Sequence, residues 1–193
     1  MVVTGAAQGL GRAFAEHAAR EGAAVVVNDV EGELAEAVAA GIRGFGGRAS
    51  ASVRSVAAPE QAAAVIEDCL AAFGKVDGLV NNPGLRHESP LADEDPARLK
   101  ELIEVNVLGT FHCAINAAKV MRPGSSMVNL GSVSMVGQPG VTAYSASKGA
   151  VASMTVGWAV ELKSRGIRVN AICPVAVTRM GPGGDPPEKS HRS

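Results

Sequence analysis

The sequence is short of several things that would fix its class at once. Cysteine is rare: Cys69, Cys113 and Cys173 stand far apart, with no C-x-x-C pair. That count and spacing give neither a disulfide framework nor a zinc pattern, and each thiol is expected to be buried and reduced. Aromatic residues make up only 3%, with a single tryptophan and a single tyrosine. Formal net charge is -1, so there is no concentrated basic surface of the kind that nucleic acid or an anionic membrane requires. No stretch reaches the roughly 18 apolar residues of a membrane span, and no charged leader precedes an apolar run. His17, His87, His112 and His191 have no metal-ligand spacing and read as surface or packing residues. The expectation is a cytoplasmic protein with neither nucleic acid nor membrane as partner.

What is present is a pattern. Apolar residues make up 47% and charged ones 19% of 193 residues, enough for one domain with a real core. Short apolar runs, read as strands, fall at residues 1–3, 24–27, 47–53, 76–80, 127–130 and 167–172. Between them, residues 10–21, 33–43, 59–73, 96–121 and 142–165 space apolar side chains by three and four, as amphipathic helices do. This alternation predicts βαβ units and an α/β, doubly wound parallel sheet of six strands with helices on both faces. Residues 1–180 form the expected domain. Residues 181–193 carry glycine, proline and charge without periodicity and are expected to be a flexible tail. The acidic run from Glu88 to Glu94 reads as a solvated loop, and Trp158 as a core or interface residue.

The first strand runs straight into Thr4-Gly5-Ala6-Ala7-Gln8-Gly9-Leu10-Gly11. Glycines permit a tight turn and a close approach of backbone to a pyrophosphate, and the helix that follows offers N–H groups and partial positive charge to an anion. The spacing is G-x-x-x-G-x-G, so the turn alone could equally be structural. Asp29 closes the second apolar run, about 20 residues beyond the glycines, where a carboxylate suits adenosine ribose hydroxyls and repels a 2′-phosphate. No arginine follows closely, which favours NAD over NADP. Taken alone, Asp29 could also serve as a helix cap or turn residue.

Tyr144 and Lys148 lie four residues apart in Tyr-Ser-Ala-Ser-Lys, inside a helical pattern, so they share one face. An ammonium near a phenol favours the phenolate and lowers a pKa that is ordinarily about 10. Such a tyrosine can exchange a proton with an alcohol or carbonyl oxygen near neutral pH.

With these elements in order, together with Asn81-Asn82-Pro83-Gly84, Asn106 in Glu-Val-Asn-Val-Leu-Gly, and Ser132 after a strand, the chain resembles the short-chain dehydrogenase/reductase family from its first residues to about Met180. The resemblance implies a Rossmann-type fold and hydride transfer between nicotinamide and a secondary alcohol or ketone. It implies Tyr144 as acid/base and Ser132 as the group that holds the substrate oxygen, with Ser134 a nearby competitor. It also implies that Asn106 supports a water-linked relay through Lys148, and that Lys148 binds the nicotinamide ribose. Thr4, Gly5, Gln8, Gly9, Leu10, Gly11, Asp29, Asn81, Gly84, Tyr144, Lys148, Pro174 and Thr178 become the expected cofactor contacts.

A homo-oligomer, dimer or tetramer, is implied through the helices at 96–121 and 142–165. Around Asp29 and Pro174 the sequence is similar to the dehydrogenase part of peroxisomal multifunctional β-oxidation enzymes. The sequence departs from the family in several places. Pro83 replaces alanine, Arg54 stands near a usual acid, Val175 replaces glycine, and Gly131 replaces a frequent serine. The Ser132-to-Tyr144 interval is one residue shorter than usual, and the family's C-terminal strand and lid are expected to be missing. A catalytically impaired NAD-binding homologue, acting as a binding or oligomerisation module, is the alternative. An NADPH-dependent acyl-carrier reductase is disfavoured by Asp29.

Overall fold

A computed structural model of the chain describes residues 1–174. Thr178 and the tail expected over 181–193 lie outside the described residues. Six parallel strands form one sheet: β1 (Val2–Thr4), β2 (Ala24–Asp29), β3 (Arg48–Val53), β4 (Gly78–Asn81), β5 (Ser126–Leu130) and β6 (Arg168–Ile172), in the spatial order β3-β2-β1-β4-β5-β6. The expected alternation is present. The helices are α1 (Gly9–Arg20), α2 (Gly32–Gly44), α3 (Pro59–Phe73), α4 (Pro96–Ile103), α5 (Gly109–Val120) and α6 (Thr142–Glu161).

Successive strand residues face opposite sides of a sheet, and the core divides accordingly. Val3, Val25 and Val27 pack with Ala15, Ala19, Ala35, Val38 and Ile42 of α1 and α2. Val2 and Val26 point the other way, into Val65 and Ile66 of α3, Cys113 and Ala117 of α5, and Met127. A sheet covered on both faces needs continuous rather than alternating hydrophobicity in its inner strands, and the run Val25-Val26-Val27, fully buried, supplies it. Helix starts follow local chemistry. Pro59 and Pro96 occupy first turns, where a missing N–H costs nothing, and the Asp95 carboxylate accepts from Ala97 N–H at 2.9 Å.

Several expectations change. The stretch over 96–121 is not one regular helix: a π turn, Glu104–Leu108, separates α4 from α5. The residue that it adds re-aims Asn106, which lies inside it and is fully buried. Cys69 and Cys113 are buried as expected, and burial pushes the Cys113 thiol up to about 12. Cys173, just past the edge strand β6, is exposed. The acidic loop is not wholly solvated, because Glu94 lies 2.7 Å from buried His87. Trp158 is half-buried against the α5 side of the core, edge-on to Phe111 at 5.0 Å. No helix among the described residues is long and apolar enough to cross a membrane.

The order of strands fixes where a ligand can sit. From β1 the chain builds outward to β2 and β3, then returns to the other side of β1 for β4, β5 and β6. The loops after β1 and β4 therefore leave the sheet in opposite directions, and open a crevice at the strands' C-terminal ends.

Candidate active site

Two glycines of the first loop have left-handed backbone, Gly5 at φ +59° and Gly9 at φ +56°, a region that side chains rarely enter. Gly11 is needed for a different reason: a Cβ there would lie 2.0 Å from the Gly5 carbonyl oxygen. The loop is clasped from β4. Asn82 Nδ2 donates to Gly5 O at 2.9 Å, and Asn82 N–H donates to Thr4 Oγ1 at 3.1 Å. Asn82 is not among the contacts expected from the sequence, although the side-chain donor in Asn-Asn-Pro-Gly is the signal for it. Because these bonds come from residue 82, proline at 83 removes no donor from the clasp. Gly84, the next expected contact, follows it in the same loop and is half-buried.

Asp29 ends β2 at the same crevice. Its Oδ2 accepts from Ala7 N–H at 3.0 Å, and its Oδ1 accepts from Val30 and Glu31 N–H. Thus the carboxylate ties the glycine loop to the end of β2. Gln8 and Leu10 flank Gly9 at the start of α1, whose first turn carries no acid. Arg54 is turned to Asp68, at 3.0 Å, and this pairing holds the Asp68 carboxyl below its ordinary range.

Deeper in the sheet, Asn81 donates to Asn129 Oδ1 at 2.9 Å, Asn129 donates to Thr155 Oγ1 at 2.9 Å, and Thr155 donates to the Val151 carbonyl at 2.8 Å. This buried chain joins β4, β5 and α6. Asn106 bonds both backbone groups of Leu85, accepting from N–H at 2.7 Å and donating to C=O at 2.9 Å. Its amide also donates to Ser147 Oγ at 3.1 Å, and Ser147 donates to the Tyr144 carbonyl at 2.7 Å. Asn106 therefore connects the loop after β4 to the turn of α6 that carries Tyr144.

Tyr144 is half-buried, whereas Lys148 one turn on is only 4% exposed. The Lys148 ammonium donates to the Leu130 carbonyl at the end of β5, at 2.8 Å, and lies 5.6 Å from the centre of the Tyr144 ring. Burial pushes its pKa down from an ordinary 10.5 to about 8, against an opposing influence from Cys173. Ser132 follows Leu130 by two residues and caps a short turn, Val133–Val136, by accepting from Ser134 N–H at 3.1 Å. Gly131 is accounted for locally: a Cβ there would sit 2.9 Å from Cys173 Sγ. Pro174, half-buried, is the last described residue of the site. Among the described residues no cluster of His, Cys, Asp and Glu could hold a metal.

A glycine loop against the N-terminus of α1, an acid at the end of β2, and Ser132, Tyr144 and Lys148 around the end of β5 and the start of α6 lie at the C-terminal ends of the parallel strands. The sequence model for short chain dehydrogenases matches residues 1–182. The chain belongs to the short-chain dehydrogenase family. It is 38% identical over 186 residues to 2-(S)-hydroxypropyl-CoM dehydrogenase 3 of Xanthobacter autotrophicus, spanning 95% of this chain and 73% of that protein. It is 40% identical over 177 residues to cis-4-hydroxycyclohexanecarboxylate dehydrogenase of Sinomonas cyclohexanicum, spanning 90% and 71%. Among solved structures, a short-chain dehydrogenase from Burkholderia cenocepacia in complex with NADP superposes with a TM-score of 0.90 at 33% identity, covering 94% of this chain and 76% of that one. This short-chain dehydrogenase is thus an NAD(P)-dependent oxidoreductase. The residues fit such a cofactor: Gly9, left-handed at the start of α1, has nothing within 4 Å of where a Cβ would stand, so the backbone there is open to a pyrophosphate.

The buried ammonium carries a thermodynamic signature. Below about pH 8 Lys148 is charged in both folded and unfolded chains, and the folded state bears the cost of burial. Between about 8 and 10.5 the unfolded chain binds the extra proton, so stability rises with pH; above both values the cost is gone. Lys148→Met should therefore be more stable than the parent at pH 7 by about 1–3 kcal/mol, after allowing for the orphaned Leu130 carbonyl. Urea titrations should show that advantage shrinking from pH 8 to 10.5. A pH-independent difference would contradict the assignment.

Proposed function

We propose that this short-chain dehydrogenase is NAD-dependent and interconverts a secondary alcohol and a ketone, with Tyr144 as the acid/base. The observation that carries the reading is the buried Lys148 ammonium, fixed on the Leu130 carbonyl 5.6 Å from the centre of the Tyr144 ring. Below about pH 8 it places a positive charge beside the ring that becomes negative when the phenolic proton leaves. In the oxidative direction Tyr144 accepts the proton of the substrate hydroxyl; in the reductive direction it returns that proton to the carbonyl oxygen. Ser132, at the end of β5, holds the same oxygen by hydrogen bonding. Asn106 fixes the helix turn beneath Tyr144 through Ser147. A bound nicotinamide supplies the hydride acceptor or donor, held by Thr4, Gly5, Gln8, Gly9, Leu10 and Gly11 at the phosphates, Asp29 at the ribose, Asn81 and Gly84 along the crevice, and Lys148, Pro174 and Thr178 on the nicotinamide side.

Preference for NAD rests on Asp29, which is half-buried at the adenosine end and bonded to Ala7 of the glycine loop. A 2′-phosphate there would meet a carboxylate. A solved relative is in complex with NADP, so the cofactor choice of this chain turns on Asp29. A homo-oligomer is supported by exposed apolar residues on the two stretches expected to pair: Leu108 at the end of the π turn and Ile115 on α5, and Val156 and Val160 one turn apart on α6.

Three measurements test these points. Tyr144→Phe should lower kcat by at least about a thousandfold while NADH binding, read by fluorescence, persists; an unchanged rate refutes the acid/base role. The kcat/KM for NAD+ should exceed that for NADP+ at least about tenfold, the scale of one unpaired or repelled charge; equal values refute the Asp29 argument. In sedimentation, Val156→Asp with Val160→Asp should shift an oligomer to monomer, and an unshifted profile places the interface elsewhere.

A further inference from the structure

The turn between Ser132 and Tyr144 contains a run of hydrogen bonds that the chemistry above does not use. Ser132 Oγ lies 3.0 Å from Ser134 Oγ, which lies 3.1 Å from Oε1 of the exposed Gln138. Gly137, at φ +99°, takes the chain through the reversal that returns residue 138 to Ser134. A hydroxyl has one proton to give and two lone pairs to receive with. As placed, the run points outward: Ser132 donates to Ser134, and Ser134 donates to the amide oxygen. One Ser132 lone pair is taken by Ser134 N–H at 3.1 Å, so its proton is committed and only an acceptor site is left.

Turning the Gln138 amide over exchanges Oε1 for the nearly isosteric Nε2. The run then reverses. The amide donates to Ser134, Ser134 donates to Ser132, and both Ser132 lone pairs are filled. The only group that Ser132 can still offer is its proton.

We propose that Gln138 is a positioning residue whose amide orientation, relayed through Ser134, decides whether Ser132 gives its proton to the substrate oxygen or withholds it. The inference deepens the proposed function and rests on Ser132 holding that oxygen. Glutamine suits the position because its neutral amide carries a donor and an acceptor at one end; a carboxylate accepts only and locks the run outward.

The test uses the full chain with 2-butanol, cyclohexanol and 1-phenylethanol and either NAD+ or NADP+. Gln138→Glu should lower kcat about tenfold, the scale of one charge-assisted hydrogen bond, without changing KM for the cofactor. Adding Ser134→Ala to Gln138→Glu removes the acceptor that captures the Ser132 proton, and should restore most of the loss, whereas two merely structural defects would compound. A wild-type kcat in Gln138→Glu, or a double variant as slow as Gln138→Glu, overturns the proposal. A second readout needs no turnover: the Gln138 side-chain amide resonance of 15N-labelled protein should shift on Ser134→Ala, and an unmoved resonance overturns the run itself. Should none of the three alcohols react, that resonance alone decides. An undiminished rate in Tyr144→Phe counts against the dehydrogenase reading instead, and leaves the amide result standing on its own.

Discussion

A protonated amine with almost no access to water must be held by something, and at Lys148 it is the Leu130 carbonyl, 2.8 Å away. A neutral carbonyl compensates only part of the desolvation, so the bond is a compromise that the fold tolerates rather than a source of stability. Its geometric effect is larger than its energetic one. It fastens α6 to the end of β5, with Tyr144 one turn before the contact and Ser132 two residues after it. Remove the bond, and β5 is still joined to α6 through Asn129 and Thr155, but no longer at the turn that carries Lys148.

Polar networks behind the site reinforce the same helix. The chain Asn81–Asn129–Thr155 crosses from β4 through β5 to α6 inside the core, and the chain Leu85–Asn106–Ser147 reaches the carbonyl of Tyr144 from the loop after β4. In a low-dielectric interior such bonds are strong when satisfied and costly when broken. Both networks end on α6, which makes that helix the rigid support on which a reacting group can be held within a fraction of an ångström. The glycine loop is located from the same β4 end, by the clasp from Asn82, and from β2, by Asp29, so β4 serves both the loop and α6.

Much of this was legible in the residues. Val25-Val26-Val27 announces a doubly covered strand, the prolines at 59 and 96 announce helix starts, and the spacing of Tyr144 and Lys148 announces a shared face. What could not be read depends on groups distant in sequence. Asn82 matters because it meets Gly5, 77 residues away. Gly131 is small because Cys173 arrives beside it just past the neighbouring strand β6. The partnership of His87 with Glu94 needs the loop to fold back on itself. The π turn was hidden for another reason: apolar spacing over 96–121 fits a regular helix, and one added residue changes the direction of side chains without breaking the pattern.

That added residue has a consequence for how the chain can vary in length. Regular helix advances about 100° per residue. A π turn is wider, so the added residue within Glu104–Leu108 is taken up without turning α4 against α5, and deleting one position there would restore an unbroken helix while changing the direction of the side chains inside the turn. Asn106, inside the turn, would then lose its present aim at Leu85 and Ser147. A polar residue fixed by both its identity and its count along the chain is harder to move than one fixed by identity alone. Insertions and deletions among relatives should therefore gather in the outer turns and avoid this one.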